Sequence, residues 1–303
     1  MANPHLQVAF EVFGISDPGW YCKCTSIKII EMSEDVKANY WMETDFWKFC
    51  KAEHINIAFL DKPCVMNHVS TNNGNKSIEQ IESKHLFEKH FWPKILEEPV
   101  AGAICISHLR ALNSALAENK NNQLTIVLEG DVRTTENTIP LFCAFLANWY
   151  GNPEVKDCNY VALSWSDWHL GYAKKMTTAT RVRSSRVGRY FELMKLPMNM
   201  NHNAYDFIGQ GTRALAFSNN FSEKVINTKV GGYWDLHLLS LLAKEDTELK
   251  RQGWKNDVIA LVASPVMFTH MCPTWGADSE AVGDCCPSLR PPANPSVATF
   301  AWT

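Results

Sequence analysis

The chain has 303 residues, 46% of them hydrophobic and 20% charged, enough for one large α/β domain with a full core or for two small domains. Its formal net charge of −3 supplies no positive field for nucleic acid or an anionic membrane surface, so neither is expected as a partner. Eleven Trp and fifteen Phe imply an aromatic-rich core, or a cleft with stacking surfaces for a base or a sugar.

In chain order, the first seven residues lack the basic start and long apolar run of an export signal. No stretch approaches the ~20 apolar residues of a membrane span. The expectation is a cytoplasmic chain without a transmembrane segment. Residues 26–31 (SIKIIE) read as a strand, 34–53 as a helix carrying Val36, Tyr40, Trp47 and Cys50, and 55–60 (INIAFL) as a second strand. Asp61-Lys62-Pro63 breaks that pattern, and the polar residues 71–76 form a loop. Residues 78–96 look helical, and 106–119 place Leu109, Leu112 and Leu116 on one helical face. Residues 123–128 are continuously apolar after Thr125, as in a strand buried on both faces. A helix over 138–150 ends at Gly151-Asn152-Pro153, and further strands are expected at 160–164, 212–217 and 258–263.

Strands separated by helices of these lengths argue for βαβ units and a mostly parallel sheet in an α/β fold. From Cys272 onward the sequence is aperiodic and carries Pro287, Pro291, Pro292 and Pro295. The expected division is a single domain over residues 1–271 with an irregular, Pro-rich C-terminal extension over 272–303. The ten cysteines read as free, buried thiols. Cys22-Lys23-Cys24, and Cys272 with Cys285-Cys286 near His270, are the two local groups, and the spacing of the second does not match a standard zinc module. A basic run over 181–189 is either a solvated loop or a patch for an anionic substrate.

The chemistry-bearing segment is Glu129-Gly130-Asp131, at the end of the 123–128 strand. Open α/β sheets bind ligands outside the carboxyl ends of their strands. Two acids at i, i+2 in a turning chain can aim at one divalent cation, which could bridge diphosphate oxygens on a leaving nucleotide. Gly130 between them leaves room for close backbone approach and an unusual dihedral. Arg133 lies just beyond and could assist. The alternative is a helix N-cap with turn acids, since Thr134 and Thr135 follow.

About twenty residues upstream stands Gly102, then Ser107-His108 at an expected helix start, an amphipathic helix, a buried strand and the acids. This order resembles glycosyltransferase family 25, which includes lipooligosaccharide and collagen galactosyltransferases. That family has Gly, then Ser-His opening a helix, then a strand ending in Glu-Asp-Asp; here Gly130 replaces the middle acid. Gly211 to Ser218, Gly232-Tyr233-Trp234-Asp235 and Ala263-Ser264-Pro265 are similar to later family segments. The usual Arg soon after the opening strand is missing. The similarity extends over about residues 26–270, with gaps.

The resemblance implies a GT-A-like, Rossmann-type fold and an inverting transfer from a nucleotide sugar, with UDP-sugar as donor, Mn2+ or Mg2+ as cofactor and a glycan as acceptor. Asp131, Glu129 and a late His270 are then the metal ligands. Asp235 is the first candidate for the base that takes the acceptor hydroxyl's proton, and Asp167 the second. Asp235 could equally be an N-cap for the helix that follows. Ser107, His108, Arg110 and Glu129 are placed toward the donor, although Ser107 could simply cap its helix while His108 packs. By position at strand ends, Glu31 and Asp61 can accept from ribose or base donors and Lys62 can meet phosphate. Trp165, Trp168 and Trp234 are candidate stacking surfaces for the acceptor sugar. Competing readings are a nucleotide-sugar hydrolase, a metal-free transferase, or a catalytically weakened transferase-fold glycan-binding protein. An NAD-dependent oxidoreductase lacks its G-x-G-x-x-G after the first strand.

Overall fold

The computed structural model describes residues 3–30, 37–60, 83–155, 158–164, 174–175, 191–195, 213–252, 260–264 and 267–270. The C-terminal extension with Cys285-Cys286, the basic run over 181–189, and residues 71–76 lie outside them.

Local signals explain most element ends. Helix α1 (Pro4–Glu11) begins with Pro at its first turn and Asn3 accepting from the His5 amide, and buries Leu6, Ala9 and Phe10. The sequence offered no such expectation. Helix α2 (Gly19–Lys23) is a short turn leading into strand β1 (Thr25–Ile30). The single helix expected over 34–53 is instead α3 (Lys37–Glu43) and α4 (Asp45–Ala52). Thr44 separates them: its backbone is extended, and its hydroxyl accepts from the Trp47 amide. Strand β2 (Asn56–Phe59) follows.

Residues 83–96 are not one helix. Ser83–Leu86 forms a 3-10 turn, and α5 (Trp92–Glu97) comes after a break. Helix α6 (Pro99–Glu118) starts earlier than expected, because Pro99 is well suited to a first helical turn. Ser107 and His108 therefore lie inside a helix and not at its opening, which corrects both the helix-start reading and the capping role offered for Ser107. By length and composition alone, Val100–Glu118 is apolar enough to cross a membrane, a test that a buried core helix also passes. In the fold this helix packs on β1 and on β3 (Leu124–Glu129).

The remaining elements are β4 (Val132–Thr134), α7 (Thr138–Gly151), β5 (Tyr160–Ala162), β6 (Lys174–Lys175), β7 (Glu192–Lys195), β8 (Ala214–Ser218), α8 (Asn219–Ile226), α9 (Trp234–Arg251), β9 (Ala260–Ser264) and β10 (Phe268–His270). Among them β4, β6, β7 and β10 were not expected.

One eight-stranded sheet has the order β2-β1-β3-β8-β5-β9-β7-β6, and β10 pairs with β4 in a separate two-stranded ribbon. Strand β1 is parallel to β2 and β3, and β5 is parallel to β9. Strand β8 is antiparallel to both β3 and β5, and β7 to both β9 and β6. Two strands thus run against the other six, and the sheet is mostly parallel, as expected. The reversal of β8 left no mark on its sequence, since a strand buried on both faces is apolar whichever way it points.

Each face of the sheet carries its own core. On one face α1, α4 and α7 bring Phe10, Phe46, Phe142 and Phe145 together with Phe268. On the other, α6, α8 and α9 bring Ile106, Leu112, Phe221 and Leu238 against Val127 and Phe217. The six described cysteines are all free and buried, including Cys22 and Cys24, as expected. Lys28, only 1% exposed in β1, pairs with Glu118 of α6.

The chain leaves β1 for β2 on one side and later returns to place β3 on the other. The strand order therefore reverses between β1 and β3, whose carboxyl ends are Ile30 and Glu129, and open α/β sheets bind their ligands beyond such a point.

Candidate functional site

The Glu129-Gly130-Asp131 turn lies at that reversal of strand order. Its backbone is held on several sides. The Gly130 amide donates to the Ile30 carbonyl at 2.7 Å, and the Glu129 amide donates to the Arg213 carbonyl at 2.7 Å. The Gly130 carbonyl accepts from the Arg133 guanidinium at 3.0 Å and from the Trp41 indole at 3.4 Å. Gly130 is buried. Among the described glycines it is Gly14 that has a positive φ, so Gly130 does not carry the unusual dihedral expected of it. The segment is a turn between two strands, and the next helix starts only at Thr138, so the N-cap alternative falls away.

The two carboxylates have different surroundings. Glu129 is 17% exposed, and its Oε1 lies 3.4 Å from His108 Nε2. His108 is 1% exposed, and its ring stacks on Trp234 with centroids 5.0 Å apart and planes inclined by 28°. Trp234 opens α9, and the next residue is Asp235. A continuous line of packed groups thus runs from Glu129 through His108 and Trp234 to the first turn of α9.

Asp235 is half-buried. Burial raises its pKa, and hydrogen bonds from the Leu236 amide and its own amide offset only part of that rise. It sits within the first turn rather than capping the helix, and its Oδ1 accepts from the Leu236 amide at 2.8 Å. A carboxylate with raised proton affinity is better suited to act as a base near neutral pH than an ordinary aspartate. His237, one residue further on and 5% exposed, has its pKa pushed down to about 4, chiefly by burial and secondarily by Lys244.

Asp131 is half-buried beside β4. The register of the β4–β10 ribbon pairs Val132 with His270 and Arg133 with Thr269. The backbone of His270 is therefore opposite the residue next to Asp131, although its side chain lies outside the described residues. Arg133 stacks over the Tyr40 ring at 4.1 Å and donates to the Gly130 and Val132 carbonyls. Burial lowers its pKa, and Tyr40 and Asp131 act to raise it. Arg133 thus braces the turn and lies in the field of Asp131.

Several expected roles need correction. Ser107 and His108 are 0% and 1% exposed, too deeply buried to touch a nucleotide directly. Trp234 is 2% exposed and stacked on His108, so it is not a platform for an acceptor sugar. Arg110 remains half-buried on α6. Glu31, Asp61, Lys62, Trp165, Asp167 and Trp168 lie outside the described residues. Arg133 was expected to assist from just beyond the acids, and it does so by bracing the turn; the roles of Trp41 and Tyr40 were not visible beforehand, because neither stands in a spacing pattern with Glu129 or Asp131.

The donor set fits a cation of the Mg2+ or Mn2+ type in one respect: half-buried Asp131 carries hard carboxylate oxygen just beyond the end of β3. Such ions take one or two protein carboxylates when substrate phosphates and water complete the shell. Glu129, turned toward His108, is the weaker of the two donors. Among the described residues no cluster of three or more His, Cys, Asp or Glu side chains forms a complete cage. No protein-family model matches this sequence, and no curated protein matches it.

Proposed function

We propose that this chain is a metal-assisted, inverting glycosyltransferase of GT-A type, taking a nucleoside-diphosphate sugar, with UDP as the nucleotide, and a glycan hydroxyl as acceptor. The supporting observation is the position of the Glu129-Gly130-Asp131 turn. It closes β3 at the reversal of strand order, where open α/β sheets bind ligands. The strands β2, β1 and β3 are the Rossmann-like half in this reading, and the part beyond the reversed β8 is the acceptor half.

Asp131 holds the cation, with His270 as the ligand to test beside it, and the bound cation supplies charge neutralisation on the departing diphosphate. Asp235 accepts the acceptor hydroxyl's proton, and its raised proton affinity supports that role. His108 touches no substrate; it fixes the carboxylate of Glu129.

Thermal unfolding with nucleoside diphosphates and Mn2+ tests the proposal. At ligand one hundred times its Kd the native state gains ~2.7 kcal/mol, a rise in Tm of roughly 5 °C. The gain should disappear in Asp131→Ala, together with slow metal-dependent hydrolysis of the nucleotide sugar. A flat response to every nucleoside diphosphate overturns it.

The second reading, a glycan-binding protein of transferase fold, draws on the same turn. Gly130 stands where the family carries an acid, and Glu129 is committed to His108. That protein binds glycan without any response to nucleotide or metal.

A further inference from the structure

A cavity of about 510 Å³ lies at the other end of the sheet. It is bounded by Gln123, which leads into β3, by the carboxyl end of β8 with the start of α8, and by the end of α7. Strand β3 separates it from the Glu129 turn, a distance of about 17 Å at the rise of an extended chain. The catalytic proposal makes no use of it.

Its lining has a distinct chemistry. None of the described residues around it is Asp, Glu, Lys, Arg or His. Side-chain amides dominate: Asn122, Gln123, Asn219 and Asn220 surround the half-buried rings of Trp149 and Tyr150. Asn122 is 5% exposed. Its amide nitrogen donates to the Thr125 hydroxyl at 2.7 Å, and its Oδ1 accepts nothing. Asn219 repeats the pattern, donating to Glu223 while its buried Oδ1 has no partner. Two shielded amide oxygens without donors are a standing cost of about 1–3 kcal/mol each.

The rings are held in place. Tyr150 shares a hydrogen bond with the Thr25 hydroxyl and donates to the Cys24 carbonyl, and Trp149 packs against Phe145 with ring centroids 6.0 Å apart. The wall is therefore pre-formed, and its volume lies in the size class of small-molecule sites.

We propose that this cavity binds an uncharged saccharide, independently of the transferase reading. With no charged group among the described lining residues, none of them compensates a phosphate or carboxylate, which favours neutral sugars over nucleotides and acidic sugars. Amides offer a donor and an acceptor side by side, which suits neighbouring sugar hydroxyls, and Asn220, which is exposed, presents such a group at the cavity. The indole of Trp149 offers a flat face to the C–H side of the sugar ring.

The test is saturation-transfer NMR on the full chain with glucose, galactose, N-acetylglucosamine and their neutral disaccharides, together with uridine as a neutral nucleoside. Transfer to at least one saccharide is expected. It should weaken roughly tenfold or more in Trp149→Ala and Asn220→Ala, a loss of about 1.4 kcal/mol, and persist in Asp131→Ala. Asn220 is exposed, so Asn220→Ala decides the matter even where Trp149→Ala disturbs packing. The proposal is overturned by an absence of transfer to every saccharide, by transfer to uridine alone, by undiminished transfer in Asn220→Ala, or by a loss confined to Asp131→Ala. Asp131→Ala reports on the nucleotide site through its metal response, so failure of one reading is distinguishable from failure of the other.

Discussion

Replacing His108 separates packing from hydrogen bonding at the centre of the candidate site. In His108→Ala the ring stacked on Trp234 disappears from a position only 1% exposed. The stack contributes about 1 kcal/mol, and large-to-Ala changes in buried positions cost about 3–5 kcal/mol where the surroundings collapse poorly. The contact with Glu129 is long, at 3.4 Å, and adds at most ~1 kcal/mol. Ring packing dominates, and the expected loss is about 3 kcal/mol. His108→Phe keeps a ring against Trp234 and removes Nδ1, which is buried without a partner. That variant should stay within about 1 kcal/mol of the parent. Urea unfolding followed by far-UV circular dichroism, at unchanged m, measures both differences. A loss under about 1 kcal/mol in His108→Ala, or equal losses in the two variants, would refute the reasoning.

Three further outcomes follow from the same structure. Asp235 holds its proton more tightly when folded than the ordinary aspartate value of 3.8, so its contribution favours the native state below that value and is lost as pH rises through its native pKa. Asp235→Asn keeps an acceptor for the Leu236 amide; it should be more stable than the parent at neutral pH, with the advantage shrinking toward pH 3.8 in urea titrations. His237 behaves oppositely: its native pKa of about 4 lies below the ordinary 6.5, so the unfolded chain takes up the proton first and stability falls as pH drops between those values. His237→Gln should remove about 3 kcal/mol of that acid sensitivity, and an unchanged pH–stability profile would count against it. In Gly151→Ala the new methyl would meet the Phe13 side chain at 2.7 Å, so α7 and the chain after α1 must part; a loss of about 1–3 kcal/mol and faster proteolysis near the N-terminus are expected.

The sequence by itself determined which segments are buried. Runs such as residues 124–128 and 138–150 were legible because burial on every side demands continuous apolar residues, and that demand is local to the chain. The position of Glu129 and Asp131 at a strand end was legible for the same reason. Helix limits were partly legible: Thr44 and Pro99 are short-range signals, and they mark where α4 and α6 begin, yet each was overlooked beside a longer periodic pattern.

Only the tertiary structure decided what those residues face. The reversal of β8 is a property of pairing, and apolar residues satisfy a parallel or an antiparallel neighbour equally. The turning of Glu129 toward His108, and the covering of His108 by Trp234, depend on how α6 and α9 pack over the sheet, across 21 residues of sequence in one contact and more than a hundred in the other. No spacing rule spans such separations. The pairing of β10 with β4 likewise sets His270 opposite Val132, beside Asp131. Chemistry-bearing residue types can be read from the chain, but which of them share a site is settled by contacts between elements far apart in sequence.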